Sequence, residues 1–148
     1  MAKHSAPSAH PPLDLLLTHL ADQVADVRHA LVVSQDGMVV SKSTSLARPD
    51  AERLAATVSG LMSLGRSVCT NFDGEAVVQT LIEMRQGYLI LTSAGRGAYL
   101  TVLCTSRADI GVVAFEMNLL VTRMGDHLGT PPRHTEAATA SSGDAPTA

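Results

Sequence analysis

Two glycines flanking an arginine, Gly95-Arg96-Gly97, come nearest in this chain to a phosphate-binding loop. Such a loop aims backbone N–H groups and a helix N-terminus at the anion, with a lysine reaching the outer phosphates. Here the glycines join two apolar runs, Tyr88 to Ser93 and Ala98 to Thr105, and Gly-Lys-Ser/Thr does not occur. They read as a hairpin turn, and the chain is not expected to bind nucleotide itself. Nucleophilic chemistry has two cysteines to draw on, Cys69 and Cys104, each inside an apolar stretch where a thiol behaves as a small hydrophobe. No Gly-x-Ser-x-Gly elbow is present. The six histidines (His4, His10, His19, His29, His127, His134) are scattered and lack metal-ligand spacing. Asp22 and Asp26 have the spacing of a carboxylate pair on a helix, but they lack polar neighbours and read as a solvated face. No catalytic residue, cofactor or metal is expected, and the chain reads as a binding protein rather than an enzyme.

Composition narrows the binding partners. A chain of 148 residues, 45% hydrophobic, has the material for one domain with a real core. Its net charge of −3, with only Lys3 and Lys42 beside the arginines, offers no footprint for nucleic acid. Aromatic residues, at 3%, are too few for base-stacking platforms. No run approaches the ~18 apolar residues of a membrane span, and residues 1–12 lack the apolar core of a secretory signal. A cytoplasmic protein is expected, without direct membrane insertion and reaching a membrane only through partners. Residues 1–12 and 129–148 consist largely of Pro, Ala, Ser, Thr and a few charges, so both are expected to be disordered tails around a domain at 13–128.

Within that domain the hydrophobic period changes in a fixed order: helix, two strands, helix, three strands, helix. The first helix follows Pro11-Pro12, with Leu13, Leu16, Leu17, Leu20, Val24 and Val27 as its apolar stripe. Strands are expected at His29 to Ser34 and Met38 to Thr44, turned by Asp36-Gly37. A second helix starts near Pro49-Asp50 and runs to about Thr70, where Asn-Phe-Asp-Gly ends it. Strands follow at Glu75 to Met84, Tyr88 to Ser93 and Ala98 to Thr105, and a last helix spans about Asp109 to His127, with Val112, Phe115, Leu119 and Met124 among its apolar positions. In the third strand Val77 and Leu81 are expected on one face and Val78 and Ile82 on the other. The last two strands are apolar on both faces, so helices should cover both sides of the sheet.

The second helix is the unusual element. Its sheet-facing stripe reads as Leu54, Val58, Leu61, Gly65 and Val68, while Ala56, Gly60, Ser63 and Ser67 form a second stripe of small residues. Glycine inside a helix costs ~0.5–1 kcal/mol against alanine, so close approach of another backbone is expected to offset Gly60. Among the strands, Lys42 with Ser41, Ser43 and Thr44 suits a protected edge, whereas the third strand lacks Pro and Lys and would invite pairing if it lay at an edge.

Assembled in this order, the chain resembles the Roadblock (dynein light chain) family, in its bacterial branch of GTPase regulators such as those of actinobacterial conservons. The resemblance covers about Leu13 to Leu128. It rests on Val32-Val33-Ser34-Gln35-Asp36-Gly37-Met38-Val39-Val40, on Gly87-Tyr88-Leu89-Ile90, on Gly95-Arg96-Gly97-Ala98-Tyr99-Leu100 and on Asp109-Ile110-Gly111-Val112. It implies a profilin-like α/β sandwich: a five-stranded antiparallel sheet ordered 2-1-5-4-3, with helix 2 on one face and helices 1 and 3 on the other. It also implies a homodimer joined through helix 2 (Ala56, Gly60, Ser63, Ser67) and the third strand (Val77, Gln79, Leu81). The helix 2 pair would then present Glu52, Arg53, Thr57, Ser59 and Arg66 to a Ras-like small GTPase, with a sensor-kinase-like membrane protein as a further partner. An adaptor that assembles signalling components without changing nucleotide turnover is the alternative, and a small-molecule sensor is a third reading.

Overall fold

The computed structural model describes residues 12–127; beyond Pro12, the segments expected as tails lie outside the described residues. The elements are α1 (Leu13–Gln23), β1 (Val27–Ser34), β2 (Val39–Lys42), α2 (Arg48–Phe72), β3 (Gln79–Met84), β4 (Gly87–Ser93), β5 (Ala98–Thr105) and α3 (Ile110–His127). The strands form one antiparallel sheet in the order β2-β1-β5-β4-β3, as the resemblance implied. Turn chemistry explains the joints. Gly37 takes φ +85° between β1 and β2, and Gly95, Arg96 and Gly97 all have positive φ between β4 and β5. The second of these is the hairpin anticipated in place of a phosphate loop, closed by the Ala98 N–H donating to the Gly95 carbonyl at 3.0 Å.

Alternation along the central strands splits the core into two layers. Ala30, Val32, Ile90, Leu100, Val102 and Cys104 pack beneath α1 and α3, against Leu17, Leu20, Val113 and Met117. Leu31, Val33, Leu89, Leu91 and Tyr99 pack beneath α2, against Ala51, Ala55, Val58 and Met62. Each large aliphatic side chain fully buried this way contributes about 1.5–3 kcal/mol. Both faces of the sheet are therefore covered, as the two-sided apolar pattern of β4 and β5 required.

Several local expectations need correction. Helix α1 stops at Gln23, so Val27 belongs to β1 rather than to the helical stripe. Asp26 reverses the chain at φ +68° and accepts a hydrogen bond from Thr105 Oγ1 at 2.9 Å, so it shares no helix face with Asp22. Strand β3 begins at Gln79, not Glu75, because Glu75 sits at φ +64° in a turn closed by the Ala76 N–H on the Gly74 carbonyl. That turn breaks the parity of the strand. Val77 packs under α2, as do Thr80 and Ile82, while Leu81 pairs with Ile90 on the opposite face. Of the apolar positions read on α3, Met124 lies in the core with Val113, Met117 and Leu120, while Val112, Phe115 and Leu119 lie on the surface.

Backbone approach between β4 and β5 leaves no room for a side chain at Gly87, where an added Cβ would stand 2.4 Å from the Cys104 carbonyl oxygen. Gly87→Ala must push the two strands apart. It is expected to destabilise the fold by about 1–3 kcal/mol in urea unfolding; an unchanged midpoint would contradict this packing.

Candidate functional site

The two borders of the sheet are treated differently. At β2, the Lys42 N–H donates to Asp14 Oδ1 at 3.2 Å and the Ser41 hydroxyl donates to the same carboxylate. Thr18 Oγ1 accepts the Thr44 N–H at 3.1 Å just beyond the strand. Asp14 and Thr18 lie one turn apart on α1, off its apolar stripe, and they close this border from above. Strand β3 forms the other border. Its inner side pairs with β4 from Gln79 to Met84. Among the described residues no further strand pairs with β3, so its outer N–H and C=O groups have no ladder partner.

Helix α2 overhangs that open border. Its 25 residues span about 37 Å at 1.5 Å per residue, more than the sheet beneath it. The sheet holds the helix by Ala51, Ala55, Val58 and Met62, where alanines let it settle closely. This corrects the expected stripe: Leu54, Leu61 and Gly65 flank the contact and Val68 is exposed. Beyond the sheet contact Leu64, Val68 and Phe72 stand exposed, with Leu61 half-buried beside them; Leu64 is 67% exposed and Phe72 78%. Val78, 77% exposed, continues this apolar surface towards the border. Periodicity had not picked out Leu64 or Phe72, and it had set Val78 on one strand face with Ile82. The available signal was an apolar set, 61-64-68-72, too wide for one sheet-facing stripe.

The small-residue stripe lies elsewhere. At ~100° per residue, Gly60 falls almost opposite the Val58–Met62 contact, and Ala56, Ser63 and Ser67 surround it on the outward surface. All four are exposed. A Cβ added at Gly60 meets nothing within 4 Å, so packing within the chain does not explain this glycine. Gly65 is different: its missing Cβ makes room for Val77 Cγ2, 3.0 Å from where that atom would stand. Glu52, Arg53 and Thr57 share the outward surface with Gly60 and are exposed. Arg48 pairs with Glu52 at 3.3 Å and Arg53 approaches Asp50 at 4.0 Å.

Two of the expected docking residues are engaged within the fold. Ser59 is half-buried and donates to the Gln35 carbonyl at 3.3 Å, bracing the β1–β2 hairpin. Arg66 is also half-buried and donates through Nη1 to the Tyr99 hydroxyl at 2.5 Å. Of the expected interface residues on the border, Gln79 and Leu81 face the α1/α3 side of β3, while Val77 precedes the strand and packs inward. The thiol of Cys104, buried and near Asp26, is pushed up to about 11 and stays protonated at neutral pH. Among the described residues no group of three His, Cys, Asp or Glu side chains could hold a metal, and no helix is long and apolar enough to cross a membrane.

Comparison with known proteins adds a family to this geometry. A family model for the Roadblock/LC7 domain matches residues 13–104. A Roadblock/LC7 domain structure from Streptomyces avermitilis is 58% identical over 77% of this chain and 99% of its own, with a TM-score of 0.64. A second from the same organism is 37% identical over 81% of this chain and 100% of its own, with a TM-score of 0.77. MglB from Myxococcus xanthus shares the fold at 16% identity, with a TM-score of 0.72 over 82% of this chain and 98% of its own. No curated protein matches.

Beside the N-terminal turn of α2, His29 Nδ1 and Ser45 Oγ are 2.9 Å apart. Burial holds the imidazole below its ordinary value of 6.5, Arg28 lowers it further, and Asp50 opposes them. A folded value below the unfolded one means that the unfolded chain takes up the proton first as pH falls. The associated stability is present above pH 6.5 and is lost as pH falls from there through the lower value of the folded state. His29→Gln is therefore expected to flatten the decline in stability between about pH 7 and pH 5. Urea unfolding across that range checks it; an identical pH slope in both proteins would contradict the assignment.

Proposed function

Because this chain belongs to the Roadblock/LC7 family, we propose that it acts as a noncatalytic, homodimeric regulator of a Ras-like small GTPase in a cytoplasmic signalling complex. The observation that carries the reading is the open β3 border lying beside the overhanging apolar flank of α2. Pairing β3 with its copy in antiparallel fashion satisfies the outer backbone groups of both strands and yields a continuous ten-stranded sheet. The same twofold axis brings Leu61, Leu64 and Val68 of the two α2 helices together and covers Val78. A stable interface of this kind buries ~1,600 Å² in total, a size that a strand pair and a helix pair reach together.

Dimerisation leaves the outward surface of both α2 helices side by side. Its residues are Glu52, Arg53, Ala56, Thr57, Gly60, Ser63 and Ser67, and this is where the GTPase docks. Small side chains at the centre let a partner approach the helix backbone closely, which accounts for Gly60. Division of labour on α2 thus differs from the sequence expectation: the apolar flank serves the second copy and the small-residue stripe serves the partner. Regulation works by repositioning the GTPase's own groups. Arg66 is held by Tyr99, and Arg53 stands on a regular helix, so neither resembles an arginine finger reaching from a loop.

GTP hydrolysis and nucleotide release by the partner GTPase, measured separately with and without this protein, test the proposal. One of the two rates is expected to change. Arg53→Ala should alter it by far less than the ~10³–10⁵-fold attributed to a finger. Val68→Asp should abolish both pairing through the β3 border and the effect. Binding with both rates unchanged would make the protein an adaptor instead.

A further inference from the structure

The α1/α3 layer carries an apolar surface for which the proposed dimer has no use. On α3, Val112 (51% exposed), Phe115 (60%) and Leu119 lie on one side, away from the core positions Val113, Met117, Leu120 and Met124. Beside them a cleft opens between the helices, with Leu16, Leu20 and Val24 of α1 facing Leu119 and Leu120 of α3. Glu116 and Arg123 stand at its rim, two helical turns apart on the same side of α3. Neither forms an ion pair among the described residues, where the pairs are Arg48–Glu52 and Arg53–Asp50.

We propose that this surface binds the same surface of a second copy, with α3 packed antiparallel against α3, so that two homodimers assemble into a tetramer. A dyad passing between Leu119 and Leu120 places Glu116 of each copy opposite Arg123 of the other, giving two reciprocal ion pairs around a core of Phe115 and Leu119. That self-complementarity is the signature of an isologous contact. The segments outside the described residues offer the cleft little in the way of apolar side chains. Residues 1–11 and 128–148 contain only Met1 and Leu128 as aliphatic side chains larger than alanine, prolines aside. A membrane is equally ill matched, since one Glu and one Arg give the surface no positive charge to draw anionic lipid. A single helix pair is a small contact. Resting on the homodimer proposed above, however, the stripe occurs twice on one side of the joined sheet, so that the second contact forms at high effective concentration.

Sedimentation equilibrium of the full chain tests this, with circular dichroism confirming that each variant is folded. Wild type is expected to sediment as a tetramer and Phe115→Asp as a dimer. Glu116→Arg should weaken the tetramer, and the double variant Glu116→Arg/Arg123→Glu should restore it. A tetramer that survives Phe115→Asp, or that the reciprocal exchange fails to restore, overturns the inference. So does a wild type that remains dimeric across the micromolar range, whether or not the cleft accepts another protein or lipid vesicles. Val68→Asp separates this from the border reading. It should reduce wild type to a monomer–dimer equilibrium that Phe115→Asp in turn abolishes; an unchanged mass for Val68→Asp would instead sink the β3 border.

Discussion

An antiparallel sheet covered by helices on both faces still has two borders, and the backbone groups along them must find partners. In this chain one border is closed from within. Asp14 and Thr18 reach down from α1 to take N–H groups of β2 and of the residue pair that follows it. The other border, β3, is left with its outer groups open and lies next to exposed apolar side chains of α2. Water can satisfy the amides of an open strand, but it offers Leu64, Val68 and Val78 nothing comparable. An open strand beside an apolar flank is a surface shaped for another polypeptide.

Much else follows from that asymmetry. The proposed pairing across β3 sets two α2 helices side by side and so creates the double outward surface on which Gly60 and its small neighbours make sense. It also places two α1/α3 layers on one side of a joined sheet. Chemistry within the chain contributes little to this design: the Cys104 thiol is held protonated, Arg66 is committed to Tyr99, and Asp26 is committed to Thr105. What the fold offers a partner is shape, two helix surfaces and a strand edge.

Element order and burial of both sheet faces were legible in the sequence wherever the hydrophobic period was clean, whereas the strand order and the placing of the helices came from the family resemblance. Leu89 and Leu91 against Tyr88 and Ile90, or Leu100 and Val102 against Leu103, assign the strand faces without ambiguity, and Asp36-Gly37 marks its turn. The failures have a common physical cause, namely backbone reversals at residues other than glycine. Asp26 and Glu75 both adopt positive φ, and each shifts the element that follows. Val27 passed from helix to strand for that reason, and Val77 and Leu81 parted to opposite faces. A second cause is excess apolar surface. α2 and α3 carry more aliphatic residues than the sheet can cover, so periodicity alone does not tell which flank sits down. In α2 the alanines decide it, at positions 51 and 55. Ser59 and Arg66 looked like surface residues because their partners, Gln35 and Tyr99, are distant in sequence.

Amide hydrogen exchange along β3 bears most directly on the open border. If Gln79–Met84 pair with a second copy, the outward amides of this strand exchange slowly at high protein concentration and faster on dilution, while those of β5 stay protected throughout. Exchange from β3 that is fast and independent of concentration would show a border facing water, and would contradict the account.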